Sequence, residues 1–355
     1  MRLSTSLRLN AQKGLVTPYD PALTLDLQFA ARQAYVANIG PLPTFTNLTT
    51  TARTFVGSDG LIQTAATNVP RIDFDPVTRL CRGLLIEEQR TNLLTYSEDF
   101  SNAAWSKVNA TVTANASVAP DGTTTADKLI ANTTLDQHRC DQTPSSTAVA
   151  QTFSVYVKAA GYGFVGLRLN ATGALFDLST GGINIISAGI TAQSTYFGNG
   201  WYRCSITKAT GVANDVCRIN ISDGSGIASN FTGNGTDGIF LWGAQLEAGA
   251  FATSYIPTTT GSLVRSADFC SITGAAFTGF YNQTEGTLVF KGMKPAVQAN
   301  GTTYISVDDN TVNERLILYY SANEFLNVQD GGVSQAIVSS GFSAAANTRF
   351  GMAAR

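Results

Sequence analysis

Between residues 126 and 246 the chain repeats one pattern: short runs in which apolar and polar residues alternate, each closed by a turn rich in Gly, Asn or Asp. The runs are Ala126 to Ile130, Gln151 to Lys158, Gly163 to Leu169, Trp201 to Thr207, Val216 to Ile221 and Gly238 to Leu246. Alternation with period two, with β-branched and aromatic residues on one side, belongs to a strand that buries one face. A buried helix would repeat near 3.6 positions, and no long segment here does so. Strands of this length, spaced by turns, predict a β-sandwich or jelly roll.

The flanking segments read differently. Residues 1–45 form an irregular leader broken by Pro18, Pro21, Pro41 and Pro43, with one strand predicted from the alternation of Leu23 to Phe29. Residues 46–95 read as a β connector: Ser58-Asp59-Gly60 signals a hairpin, and Asp73-Phe74-Asp75-Pro76 a second turn. Residues 96–257 hold the jelly-roll module. Residues 258–355 read as a linker followed by a partial sandwich, with strands predicted at Gly286 to Lys291, Tyr304 to Val307 and Glu314 to Tyr320. A complete sandwich takes roughly 100 residues, so this last module reads as truncated or as completed by another chain, since an incomplete sheet leaves an edge open. The fold class expected is all-β: jelly-roll or sandwich modules in tandem behind an irregular N-terminal leader.

Composition narrows the function classes. Charged residues are 14% of the chain, against roughly 25% in an average protein. The net charge is -2 and no Lys/Arg cluster occurs, so no nucleic-acid partner is expected, because phosphate neutralisation needs a dense basic face. No apolar run approaches the roughly 20 residues that cross a bilayer, so no membrane insertion is expected. The start, Met1 to Thr5, lacks the apolar core of a signal peptide, which points to synthesis in a cytoplasm without export by the usual route. The five cysteines, Cys81, Cys140, Cys204, Cys217 and Cys270, contain no CxxC pair. Cys204 and Cys217 fall on neighbouring predicted strands and offer a pairing; buried thiols acting as small apolar residues are the ordinary alternative.

Four strings carry a resemblance. They are Gly60 to Arg71 (GLIQTAATNVPR), Gly83 to Leu94 (GLLIEEQRTNLL) with Tyr96 to Phe100 and Trp105 behind it, Gly198 to Arg203 (GNGWYR), and Trp242 to Glu247 (WGAQLE) running on to Thr253 to Pro257 (TSYIP). In this order the chain resembles a recurrent family of tailed-phage virion proteins, described as tail-fibre, head-fibre or minor structural components. The resemblance implies a central jelly roll similar to carbohydrate-binding modules and a C-terminal domain similar to concanavalin-like or laminin-G-like sandwiches. Residues 45–54 match only loosely, and the C-terminal module is short.

Candidate chemistry is sparse. The only histidine, His138, sits in a polar stretch read as a loop, and a Ser-His-Asp triad or a zinc site would need partners at spacings that do not occur. A glycan hydrolase needs two carboxylates about 5 to 10 Å apart. Glu87 and Glu88 are adjacent, so on an extended strand they face opposite sides, and Arg90 offers a structural ion pair. Glu247 ends a strand, where a carboxylate caps turn amides. Calcium is conceivable at Asp73/Asp75 or Asp121, although turn formation is the ordinary role of such residues. Sugar binding calls for exposed aromatic faces. The candidates are Trp105, Tyr162, Trp201 and Tyr202; Trp242, in mid-strand, reads as core.

The function expected is that of a non-enzymatic virion structural protein assembled in the host cytoplasm. It would be a fibre or adhesin subunit held to other virion proteins by its leader, homo-oligomeric (a trimer, as the resemblance implies), and directed at a host-surface glycan without a cofactor. A capsid decoration or head-fibre protein and a glycan depolymerase are the alternatives.

Overall fold

A computed structural model of the chain describes residues 2–3, 7–9, 24–37, 39–47, 53–282, 288–293, 302–309, 311–341 and 349–354. Strand Gln151–Ala160 shows why the central region folds as it does. Its Phe153, Val155 and Val157 point into one core, together with Ile206 and Cys204 of strand Trp201–Lys208 and Ile239, Leu241 and Leu246 of strand Gly238–Ala248. These strands belong to a six-stranded antiparallel sheet ordered 110–117, 126–131, 238–248, 151–160, 201–208, 190–198. A second six-stranded sheet, ordered 183–186, 172–177, 164–169, 217–222, 138–142, 106–108, supplies the facing residues Val165, Leu167, Phe176, Ile219 and Ile221. The two sheets close a sandwich, and each strand predicted in this region is present.

Alternation along Gly238–Ala248 changes phase once. Ile239 and Leu241 face the core, then Ala244 and Leu246 do. The register against Gln151–Ala160 slips between Ser154 and Tyr156 at the same place. Gly243 takes up the extra residue at φ +62, a left-handed conformation that glycine adopts without strain. The bulge turns Trp242, Gln245 and Glu247 outward, yet all three are buried, because this outer face is covered by the rest of the chain.

The cover is a second sandwich built from both ends of the described sequence. Its seven-stranded sheet runs 333–339, 323–330, 315–321, 302–308, 2–3, 269–271, 44–46, and its five-stranded sheet 349–354, 288–293, 7–9, 81–86, 71–74. Phe29, Phe45, Leu84 and Ile86 share one core with Cys270, Phe290, Tyr304 and Leu318. The segments read separately as leader, connector and partial C-terminal sandwich thus share two sheets and one core. The chain leaves this sandwich, traverses the central one and returns alongside its own path: Tyr96 N donates to Thr259 O at 2.7 Å and Ser97 N to Thr258 O at 3.2 Å.

Three local expectations need correction. The strand predicted over 23–29 is absent where the chain is described (Leu23 lies outside the described residues). Asp26 makes a single bridge with Ile39, and Phe29–Arg32 is a helical turn. Phe29 and Ala30 are both buried, which a turn of helix permits and successive residues of a one-sided strand do not. His138 is not in a loop: it begins strand His138–Gln142 and is fully buried. Cys204 and Cys217 are not strand neighbours; they lie in opposite sheets of the central sandwich, and all five thiols are free and buried. The hairpin at Ser58 to Gly60 joins Thr54–Val56 to Ile62–Thr64 as expected.

Candidate functional site

Where the two sandwiches meet, the strings that carry the family resemblance converge on a buried polar junction. Asn92 is its clearest member. Its Nδ2 donates to Ala244 O at 3.1 Å and Ile256 O at 2.9 Å, while its Oδ1 accepts from Leu94 N and Leu246 N, each at 3.1 Å. One amide thereby ties the Gly83 to Leu94 string to both Trp242 to Glu247 and Thr253 to Pro257. Gln245 Oε1 adds a bond from Ile256 N at 2.6 Å.

Beside this amide lies a charged network. Arg71 Nη1 is 2.7 Å from Glu87 Oε2, and its Nη2 is 2.5 Å from Asp268 Oδ2. Arg265 Nη1 reaches Glu87 Oε2 at 3.2 Å, and Arg53 Nη2 reaches Asp268 Oδ1 at 3.4 Å. The side chains of Arg53, Arg71, Arg265 and Asp268 have no exposed surface. Ser254 donates to Glu87 from both its backbone N, at 2.8 Å, and its Oγ, at 2.6 Å. Burial alone would raise the Glu87 carboxyl, but Arg265, Arg71 and the Ser254 donors together hold it well below the ordinary carboxylate range. A general acid needs the opposite shift.

A cavity of ≈ 80 Å³ opens against this network, lined among others by Glu87, Ser254, Tyr156, Phe197, Arg203 and Asp73. It has room for a few waters and falls short of the about 300 Å³ at which ordinary ligand pockets begin.

Glu88 does not share the partners of Glu87 and pairs with Arg90 Nε at 2.8 Å. Glu247 accepts Thr253 N at 3.0 Å, the capping role read from its position. Asp75 accepts Val77 N and Thr78 N, Asp121 accepts Thr123 N, and Asp73 accepts Val56 N. Among the described residues no group of three His, Cys, Asp or Glu converges as a metal site would require.

The sugar-stacking candidates do not gather. Trp105, Trp201 and Tyr202 are 1%, 3% and 8% exposed. Their polar atoms are satisfied internally: Trp105 Nε1 donates to Tyr96 O and Trp201 Nε1 to Val118 O, each at 3.0 Å. Buried rings offer no face to a sugar. Tyr162 is half-buried, its ring 4.9 Å from Phe231. Trp242 is core, as read, between Tyr156 and Tyr255. His138 places Nδ1 2.6 Å from Asn109 O and Nε2 2.9 Å from Phe231 O, joining the turn at Asn109 to the short strand Phe231–Thr232. Sequence reasoning missed Glu98, a half-buried carboxyl that burial pushes up, with Asp121 adding to the rise, while Tyr255 OH donates to it at 2.9 Å. Its only signal in the sequence was its place within the resembling string Tyr96 to Phe100.

Fold and junction together define a two-sandwich β-protein whose ionisable centre joins its halves. No family model matches the chain, and no curated protein does. Among solved structures it is similar to the enzymatically active domain of tailspike protein 4 of bacteriophage CBA120, at 16% identity and a TM-score of 0.28, over 44% of this chain and 21% of that one. A likeness of that extent defines no activity for this chain. Among the described residues no helix is long and apolar enough to cross a membrane.

Proposed function

We propose that the chain is a non-enzymatic structural protein of a tailed-phage particle, a fibre or adhesin subunit that presents its sandwiches to a host-surface glycan and assembles as a homo-oligomer. The observation that carries this reading is the use made of the resembling strings: Asn92, Glu87 and Ser254 are engaged in joining two sandwiches, which is what a projecting load-transmitting module needs. The neutral, hydroxyl-rich surface fits the same role.

Cryo-electron microscopy of intact particles tests it. Density for the chain on tail or baseplate proteins, with the sandwiches directed outward, is the expected result. Density on the major capsid lattice instead makes the chain a head-fibre or decoration protein.

A depolymerase is the second reading, and Glu98 is the residue that favours it, since a raised carboxyl suits a general acid. Incubating the chain with host capsular polysaccharide and measuring new reducing ends separates the two. Release that is abolished in Glu98→Gln establishes the enzyme; no release sustains the adhesin.

A further inference from the structure

One end of the central sandwich holds a buried cluster that the junction does not use. Strand Trp201–Lys208 of the first sheet ends in Lys208, and strand Phe164–Leu169 of the second sheet runs into Asn170. Asp215 lies between them, two residues before strand Cys217–Ser222. Its carboxylate has no exposed surface, and the Lys208 side chain is 16% exposed.

Three groups converge on Asp215. Lys208 Nζ donates to Oδ1 and to Oδ2, each at 3.0 Å. Asn170 Nδ2 donates to the same Oδ1, and Val212 N donates to Oδ2 at 2.9 Å. Amine and amide thus share one acceptor oxygen, which keeps them within two hydrogen-bond lengths of each other. The amide is held in one orientation. Val216 N donates to Asn170 Oδ1 at 3.0 Å, so the carbonyl oxygen faces a backbone N–H and the nitrogen faces the carboxylate.

An ion pair accounts for Lys208 and Asp215. It does not account for an amide beside the amine, turned with its nitrogen to the acid and its carbonyl to a fixed N–H. Those are the parts of an acyl transfer: a nucleophile, a proton carrier touching both nucleophile and leaving group, and a donor at the oxygen where charge develops.

We propose that Lys208 and Asn170 join in an isopeptide bond. Asp215 takes a proton from Nζ along their hydrogen bond, and the neutral amine attacks Cγ of Asn170. The carbonyl oxygen takes up negative charge, which the Val216 N–H stabilises. The Cγ–Nδ2 bond then breaks as Asp215 passes its proton to the leaving nitrogen. Nζ gives up a second proton to Asp215, and that proton departs with the ammonia as ammonium. One Nζ–Cγ bond forms and one Cγ–Nδ2 bond breaks; no oxidant, reductant or cofactor enters. Lys208 belongs to one sheet and Asn170 follows a strand of the other, so the bond closes this end of the sandwich covalently, whatever the chain attaches to.

Denaturing intact-mass spectrometry of the full chain, incubated until its mass is constant, tests it. The expected mass is below that of the sequence by one ammonia, and tandem mass spectrometry of a tryptic digest is expected to find the peptides of Lys208 and Asn170 joined. Lys208→Arg and Asn170→Ala should each restore the full mass, while Lys128→Arg, elsewhere in the first sheet, should keep the loss. A chain that is folded by circular dichroism and has its full mass overturns the bond. Loss of one water instead of ammonia also overturns it, because Asp215 would then be the acyl partner. So does an ammonia loss that persists in Lys208→Arg, which marks a succinimide at an asparagine. The joined peptides decide the case even where a variant does not fold.

Discussion

Arg71 and Asp268, 197 positions apart, meet at 2.5 Å with neither side chain exposed. Asp268 also accepts Glu87 N at 2.9 Å and Asn47 Nδ2 at 2.8 Å, so one carboxylate collects a guanidinium, a backbone amide and a side-chain amide from three separate stretches. Such a pair adds little stability over an apolar equivalent but fixes which surfaces meet, because any other docking leaves its charges unpaired.

Removing one partner is therefore costly. Asp268→Asn leaves Arg71 and Arg53 with a neutral acceptor in a dry site, and a loss of about 3–5 kcal/mol is expected. Urea denaturation followed by circular dichroism measures it; a loss below about 1 kcal/mol would show that the junction contributes little to folding.

Glu87 predicts the acid response. Its folded carboxyl lies below the unfolded value of about 4.3, so its contribution is fully present above that value and is lost as pH falls toward the folded one. The urea midpoint should fall between pH 5 and pH 3, about the unfolded carboxylate range, and fall less steeply in Glu87→Gln, which starts from a lower stability.

All 3 tryptophans, Trp105, Trp201 and Trp242, are at most 3% exposed. Native emission is expected to be blue-shifted and resistant to acrylamide, and a bound polysaccharide should leave it unchanged. Quenching by a saccharide would restore one of these rings as a stacking face.

The thiols are expected to be inert. Burial pushes Cys81 and Cys270 up to about 11, and Cys140 and Cys204 further still, so little thiolate exists at neutral pH. Ellman's reagent should detect none of them in the native chain at pH 8 and all 5 in guanidinium.

The central sandwich was legible because its strands expose alternation directly: Gln151 to Lys158 names its own buried face. The second sandwich was not, because its sheets are assembled from distant stretches: the strand at 2–3 pairs with those at 302–308 and 269–271. Nothing near Leu84 in sequence announces that its neighbours in the core will be Tyr304 and Leu318. The same separation hid the junction, since Arg71, Glu87 and Asp268 become one network only once both sandwiches exist. Aromatic residues misled for the opposite reason. Trp201 follows a Gly turn and reads as exposed, but the hairpin folds it against Val118. The ring carries no sign of which side of the turn it will take.

The side-by-side passage of Tyr96 and Thr259 bears on how such chains diversify. Residues 98–257 leave and rejoin the second sandwich through two adjacent, hydrogen-bonded positions, so the intervening sandwich is a cassette. Replacing it with another domain whose ends lie equally close would leave every sheet of the receiving sandwich intact. Recombination at these two positions would exchange the central sandwich whole and leave the second one unchanged.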